Sequence, residues 1–176
     1  MSDPKFIEKA ILPMAKDLQV KAKTTLLQEG KVSTQAYFIE KGIVRLWFNQ
    51  NGKDITFQFF FRGEFVSSIE SFFKGSPSAF SIETLEACEL KVIDKAVFTS
   101  QLMESSIAKD FFIDLLSSRL FEYQRLFLSR IKDSPQLRYQ ELLKDQPEIV
   151  QRIPQHYIAS YLGITSVSLS RIKNKR

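Results

Sequence analysis

Residues 151–176 carry side chains whose types and spacing suit contact with a nucleic acid. They include five Lys or Arg and no Asp or Glu. Since all 20 acidic residues and 20 of the 25 basic ones precede this tail, it holds the whole formal charge of +5. Positive charge concentrated in one segment is the electrostatic footprint of a DNA-binding module.

Within this tail, the spacing of apolar residues predicts a short helix that ends in a tight turn. Pro154 suits the first turn, because a helix N-terminus leaves that backbone N–H unpaired in any case. Ile158, Ala159 and Leu162 form a buried face, and the small Ala159 lets a second helix cross closely. Gly163 supplies the turn, since glycine adopts a positive φ without steric cost.

A second helix is predicted directly after the turn. Thr165 or Ser166 caps its N-terminus, while Leu169 and Ile172, three residues apart, face inward. The positions that face outward, toward a DNA groove, are Ser166, Val167, Ser168, Ser170 and Arg171. An ordinary packed helical hairpin satisfies the same apolar spacing, but it explains neither the missing acidic residues nor the serine and arginine face. The pattern therefore favours a helix-turn-helix.

Composition bounds the class of protein. The chain of 176 residues, 44% hydrophobic and 26% charged, is typical of globular proteins and long enough for one medium and one small domain. It contains neither a run of about 18 apolar residues nor a secretion signal, which predicts a cytoplasmic location. The lone Cys88 excludes an intrachain disulfide and favours a small, buried apolar role.

Regularly spaced glycines predict a strand-rich region after an N-terminal helix. Apolar residues at helical spacing indicate that helix over residues 5–19, where Pro13 limits it. Five of the six glycines then fall at positions 30, 42, 52, 63 and 75, as turns do between the short strands of a sandwich, barrel or roll. The predicted strands span residues 36–40, 43–48, 54–60, 79–86 and 89–94, with Asn51 and Gly52 in one turn. Many of the 16 Phe residues lie in or beside these strands, and we interpret them as core filling.

One long helix is predicted over residues 106–132, because helical periodicity continues there without Gly or Pro. Positions at alternating three- and four-residue spacing form a seam for a partner helix: Ile113, Leu116, Leu120, Tyr123 and Phe127. This stripe alone would also suit a helix that covers the strands, but the helix is apolar on more faces than one contact within a chain needs. We therefore interpret it as the interface of a homodimer. Pro135 ends the pattern, and Ser134 caps a further helix over residues 135–144.

The order of these parts resembles the Crp/Fnr family of bacterial transcription regulators over essentially the whole chain. The segments that carry the resemblance, and that are similar to the branch common in Bacteroidetes, are Arg138-Tyr139, Leu142-Leu143, Arg152-Ile153-Pro154, Ile158-Ala159, Leu162-Gly163-Ile164 and Leu169-Ser170-Arg171-Ile172. The resemblance implies an α+β fold with three parts. They are a cyclic-nucleotide-binding-like β-roll (a double-stranded β-helix) over residues 1–105, a dimerisation helix over 106–132 and a winged-helix-type helix-turn-helix over 133–176. It also implies a homodimer that binds a two-fold symmetric operator in double-stranded DNA, with RNA polymerase as a further partner.

The resemblance assigns roles within the second helix of the tail. Ser166, Val167 and Arg171 occupy the positions that read base edges, and a guanidinium fits O6 and N7 of guanine with two parallel hydrogen bonds. Ser166 and Val167 differ from the Arg-Glu pair of cyclic-AMP receptor proteins, so their operator is not carried over. Contacts to phosphates fall to Ser168, Ser170, Lys173, Lys175 and Arg176. Family members usually continue past this helix with a strand or hairpin, so a chain that stops at Arg176 is expected to make fewer backbone contacts to DNA.

The sensor region keeps the start of the family's phosphate-binding cassette but differs at the ligand-binding positions. Cyclic-AMP binders place a Glu against the ribose and an Arg against the phosphate, whereas this chain has Ser68 and Ser78 there. Without the Arg, a buried phosphate charge has no partner, which argues against cyclic AMP as the effector. Glu70 could bind a hydroxyl or a cation, although a solvated carboxylate is its ordinary state. The candidate effector-binding residues are Gly63, Glu64, Ser68, Glu70, Ser78 and Ala79.

No cofactor, metal or catalytic group is predicted. The only histidine, His156, lies in the tail, so a haem or iron–sulfur sensor lacks its ordinary ligands in the roll. The sequence also lacks Gly-x-Ser-x-Gly, a Gly-Lys-Ser/Thr loop and a histidine cluster, which argues against an enzyme. Sensing has three alternatives: an unidentified small molecule, no effector, or a route that the sequence hides. The alternative function is a scaffold whose C-terminal helices bind a protein partner.

Overall fold

The computed structural model describes residues 12–174 and opens with a 3-10 turn at Leu12–Met14. Eight strands lie in this part of the chain: β1 (Lys16–Val20), β2 (Thr25–Leu27), β3 (Gln35–Lys41), β4 (Val44–Gln50), β5 (Lys53–Phe60), β6 (Phe65–Val66), β7 (Ser81–Thr84) and β8 (Cys88–Asp94). The α-helices of the same part are α1 (Ile69–Lys74), α2 (Lys95–Glu104), α3 (Ser106–Lys132), α4 (Pro135–Asp145), α5 (Pro147–Arg152), α6 (Gln155–Leu162) and α7 (Ser166–Asn174).

The strands form two antiparallel sheets that enclose an apolar core. One sheet has the strand order β1-β8-β3-β6 and the other β2-β7-β4-β5. Ile39, Leu46 and Ile82 face the interior and are at most 1% exposed. The turn between β4 and β5 uses Asn51 and Gly52 at φ values of 53° and 81°, as predicted, because these residue types tolerate the left-handed region best. The prediction of a roll is thus confirmed at the level of its two sheets.

The prediction of a helix over residues 5–19 is wrong where it can be compared. Residues 1–11 lie outside the described part, but Lys16–Val20 forms strand β1, paired antiparallel with β8. Leu18 and Val20 pack against the core with period two. Pairing with β8 therefore overrides the local helical spacing. The strand predicted over residues 79–86 is shorter and spans Ser81–Thr84.

Phenylalanine side chains fill the space between the roll and its helices, as interpreted from the sequence. Phe72, Phe98 and Phe111 are each less than 9% exposed and share one cluster with Phe65. The rings of Phe72 and Phe98 meet nearly edge-on with their centroids 5.7 Å apart, a preferred aromatic geometry. Cys88, 2% exposed, is buried as predicted.

Helix α3 has the range predicted for it, Ser106–Lys132. A side chain caps its N-terminus, and a backbone hydrogen bond closes its C-terminus. The hydroxyl of Ser105 accepts a hydrogen bond from Ala108 N at 3.2 Å. The predicted cap of the following helix is confirmed, because Ser134 Oγ accepts from Leu137 N at 3.3 Å. None of the described helices is both long and apolar enough to cross a membrane.

The C-terminal helices share their core with the roll. Ile43, just before β4, and Phe59 of β5 share one cluster with buried residues of α4, α6 and α7, such as Leu142, Ile158 and Leu169. Residues 133–174 hold helices only, so the wing of the predicted winged-helix type is not among the described elements. The C-terminal helices are held on the roll through this shared core.

Candidate DNA-binding helices and sensor cassette

Helix α6 and the turn after it have the geometry of the first half of a helix-turn-helix. Ile158, Ala159 and Leu162 are at most 4% exposed, as predicted. Gly163 adopts the left-handed region at φ 70°. Its N–H bonds to Ser160 O at 2.9 Å and the N–H of Ile164 bonds to Ala159 O at 2.9 Å. This pair of hydrogen bonds is the Schellman motif, which ends a helix and satisfies its last carbonyls.

Helix α7 is capped by one of the two residues predicted for that role. Thr165 Oγ1 accepts a hydrogen bond from Ser168 N at 3.1 Å and lies 3.0 Å from Ser168 Oγ. Leu169 is 0% exposed and Ile172 packs beside it, so the inward face is as predicted. Ser168 is half-buried and its hydroxyl joins the cap, which leaves it less accessible than the sequence suggested.

The outward face of α7 is exposed and basic. Val167 is 61% exposed. The other exposed residues of this face are Ser166, Ser170, Arg171 and Lys173. Within residues 12–174, none of these five side chains has a hydrogen bond or an ion pair. Lys175 and Arg176 lie outside the described residues. Arg152, the fifth basic residue of the tail, pairs instead with Glu86 and Glu148, so it adds no free charge to this face.

Two arginines from neighbouring helices hold the C-terminal end of α6. Arg130 of α3 donates to Tyr161 O at 2.6 Å, and Arg138 of α4 donates to Leu162 O at 3.0 Å. Cations at this end of a helix satisfy its last carbonyls and interact favourably with the helix dipole. Arg130 of α3 and Arg138 of α4 therefore fix the turn between α6 and α7. The sequence did not indicate this role for either arginine.

The structure brings together Ser68 and Ser78, the two serines predicted to stand in place of a ligand-binding Glu and Arg. Ser78 Oγ donates to Ser68 Oγ at 2.9 Å, and it also lies 2.7 Å from Phe80 O. Ser68 and Ser78 are 2% and 3% exposed. Ser71 is buried beside them, with its hydroxyl bonded to Ser76 O and to Ser33 N. These buried hydroxyls all have hydrogen-bond partners within the chain.

Glu64 does not face the two serines but links the start of the cassette to α3. Its Oε2 accepts from Phe61 N at 2.7 Å, and its Oε1 lies 3.4 Å from Nη2 of Arg119. The Arg119 guanidinium lies 4.4 Å from the ring centroid of Phe60. Burial raises the pKa of Glu64, while the Phe61 hydrogen bond and Arg119 act in the opposite direction. Gly63, at φ 87°, forms the turn that precedes this contact.

Two predicted effector residues lie at the surface. Glu70 is exposed on the first turn of α1 and pairs with Lys74 at 2.9 Å. The Lys74 ammonium lowers the pKa of the Glu70 carboxyl, as expected of a solvated helix pair. Ala79 is exposed as well. Of the six predicted residues, the structure thus groups Ser68 and Ser78 and sets Glu70 and Ala79 apart from them.

The seam predicted on α3 is largely uncovered in the single chain. Ile113, Leu120, Tyr123 and Phe127 are 58%, 63%, 41% and 65% exposed, while Leu116 is half-buried. A different stripe of the helix covers the roll, through Ala108, Phe111, Phe112 and Leu115. Apolar surface of this extent on one helix marks an interaction site.

The arrangement of the whole chain matches known proteins. The cyclic nucleotide-binding domain family model matches residues 17–105. CLP of Xanthomonas campestris, a c-di-GMP-responsive global regulator, is 20% identical over 98% of this chain and 91% of its own, with a TM-score of 0.75. FixK2 of Bradyrhizobium japonicum is 13% identical over 92% of this chain and 83% of its own, with a TM-score of 0.77. A CooA mutant from Carboxydothermus hydrogenoformans is 15% identical over 99% of this chain and 83% of its own, with a TM-score of 0.75.

Similarity at these levels of identity shows the fold, which is that of Crp/Fnr-type transcription regulators. No curated protein matches the chain by sequence. The family model covers just over half of the chain and coincides with the roll and α2. On this evidence, the chain belongs to the cyclic nucleotide-binding domain family.

Proposed function

We propose that the protein is a sequence-specific DNA-binding transcription regulator that acts as a homodimer. The observation that carries this proposal is the exposed face of α7, which offers serine, valine, arginine and lysine side chains next to the Schellman turn of α6. Its charge, without acidic residues from position 151 onward, suits a polyanion. The fold shared with CLP, a global regulator, supports the same function.

The proposed contacts divide between bases and phosphates. Ser166, Val167 and Arg171 read base edges in the major groove, with Arg171 on guanine and Val167 against a thymine methyl. Ser170 and Lys173 bind phosphate oxygens, with Ser168 beside them. Residues 133–176 form the DNA-binding domain, residues 1–105 the sensor and residues 106–132 the helix that joins two copies through Ile113, Leu116, Leu120, Tyr123 and Phe127.

The sensor domain responds to an effector other than cyclic AMP, or to no effector. The hydrogen bond between Ser68 and Ser78 occupies the positions where the family's Glu and Arg would bind ribose and phosphate. A phosphate buried there would meet hydroxyls but no cation, and an unpaired buried charge is strongly disfavoured.

Selection of bound duplexes from a random pool by the purified protein, at two salt concentrations, tests the function. The expected result is a two-fold symmetric site with half-sites about one helical turn apart and an affinity that falls steeply with salt. Binding without an enriched sequence would contradict sequence-specific regulation. Salt-insensitive binding to another protein, with no DNA selected, would favour the scaffold instead.

A further inference from the structure

The first helix of the helix-turn-helix is docked on the sensor roll around a buried arginine. Arg45 of β4 is 1% exposed. Its guanidinium lies 4.8 Å from the ring centroid of Trp47 on the same strand and 4.1 Å from that of Tyr157 on α6. A cation between two aromatic faces is held more strongly where water is excluded. Arg45 therefore joins the two parts of the chain.

The orientation of Arg45 is set by the sensor alone. Its Nε donates to Glu83 at 3.2 Å, its Nη2 to Asp54 at 3.2 Å and its Nη1 to Thr56 Oγ1 at 3.1 Å. All three acceptors lie on β5 or β7, so contacts within the roll fix the plane of the guanidinium without any contribution from α6. Helix α6 must then place the ring of Tyr157 over that plane.

A second set of contacts covers the edge of the sheet. Strand β5 is an edge strand, and such strands present unpaired backbone N–H groups. The N–H of Thr56 donates to Ser160 Oγ of α6 at 2.8 Å. Three residues further along β5, the ring of Phe59 meets that of Tyr161, the residue after Ser160, with their centroids 5.2 Å apart. Helix α6 thus covers the edge of β5 at which a further strand would otherwise pair.

These contacts leave the proposed DNA-binding face accessible. The docking residues Tyr157, Ser160 and Tyr161 all lie on α6, whereas α7 rests on α6 and keeps Val167 61% exposed. Docking therefore does not cover the recognition helix. Together with the contacts of Arg130 and Arg138, docking determines the direction in which α7 points from the roll.

We propose that Arg45, Tyr157 and Ser160 are positioning residues that determine which half-site spacing the dimer accepts. This proposal rests on the proposed function, because spacing has a meaning only for a dimer on DNA. When two chains join along α3, the separation of their α7 helices depends on how each α6 is held on its roll. Firmly docked helices accept half-sites about one helical turn, roughly 34 Å, apart. Loosened helices accept several spacings and lose part of the avidity of two linked contacts.

The experiment compares wild-type protein with Tyr157→Leu and Ser160→Ala, which disturb two separate docking contacts. Tyr157→Phe keeps the ring face and serves as the matched control, and Lys53→Ala changes an exposed side chain of the same hairpin. Each protein is titrated with the selected operator, with operators whose spacer is lengthened or shortened by one base pair, and with a single half-site. Circular dichroism verifies the fold of each variant.

For Tyr157→Leu and Ser160→Ala, we expect affinity for the preferred operator to fall about tenfold, a part of the roughly 10²–10⁴-fold gain that avidity can supply. The preference over altered spacers should shrink, and half-site affinity should stay at the wild-type level. Both controls should behave as wild type. Unchanged spacing preference in folded variants, or tighter operator binding, would overturn the docking role while leaving the proposed function intact. Failure of wild-type protein to bind any DNA would instead remove the proposed function, and this proposal with it.

Discussion

Ser78 donates a hydrogen bond to Ser68 at 2.9 Å across the sensor cassette, and both side chains are almost fully buried. They are the two positions that the sequence comparison predicted to have lost the ligand-binding Glu and Arg of cyclic-AMP binders. Their other neighbours complete the network, since Ser78 Oγ also lies 2.7 Å from Phe80 O. A cyclic nucleotide would have to break these hydrogen bonds and would gain no cation in return.

Cyclic AMP and cyclic GMP are therefore expected to leave the thermal stability of the protein unchanged. A ligand present at about 100 times its Kd would stabilise the folded state by about 2.7 kcal/mol, which is several degrees in Tm for a chain of this size. The measurement is a thermal unfolding curve at millimolar nucleotide, with an unrelated nucleotide as the control. A saturable rise in Tm with either cyclic nucleotide would contradict the closed cassette.

Arg171→Ala should weaken operator binding by about 1–3 kcal/mol and relax the preference at one base pair in each half-site, because a bidentate contact to guanine is lost. Lys173→Ala is the matched comparison on the same helix. It should weaken binding to all sequences alike and lower the salt dependence by about one phosphate contact. Competition assays with point-substituted operators measure both effects. Equal losses for Arg171→Ala on cognate and random DNA would reject base reading.

Leu120→Glu and Phe127→Glu should convert the proposed dimer to monomers, because each places a charge in the apolar seam of α3. Both side chains are more than 60% exposed in the single chain, so the fold of the monomer should survive. Ser118→Glu adds the same charge at an exposed position of α3 outside the seam. Sedimentation velocity distinguishes the species. If both variants stay dimeric, the dimer interface does not include this seam of α3.

Alkaline titration probes the docked helix, because burial raises the pKa of Tyr161 to about 12, with Glu122 acting in the same direction. An ordinary tyrosine has a pKa of about 10. The folded state thus favours the protonated phenol of Tyr161. The free energy of unfolding that this preference adds is fully present below about pH 10 and is lost as the pH rises toward 12. Tyr161→Phe should lose less stability than wild type across this window, measured as Tm against pH. Parallel curves would show that the phenol ionises freely in the folded protein.

Several parts of the molecule follow from local sequence because their causes are local. Gly163 forms a turn since only glycine enters the left-handed region freely, and Ser134 caps a helix through a backbone N–H three residues away. Helical periodicity that continues without Gly or Pro over residues 106–132 predicted α3 at its full length. The glycine spacing predicted a roll, but the helix expected over residues 5–19 failed because pairing with β8 is not visible locally.

The links between these parts depended on the tertiary structure. Arg119 reaches Glu64 across 55 residues, and Ser160 reaches Thr56 across 104. In the sequence, Arg45 is an isolated charge within the apolar run from Ile43 to Phe48. Nothing in this run indicated that the guanidinium stacks on Tyr157. Hydrophobic periodicity and turn chemistry are properties of neighbouring residues, so the sequence by itself determined most of the elements, their order and the exposed residues of α7. Buried ion pairs and stacked rings join distant residues whose meeting depends on sheet order and packing, so only the tertiary structure decided how α6 and α7 are held on the roll and that Ser68 and Ser78 bond to each other.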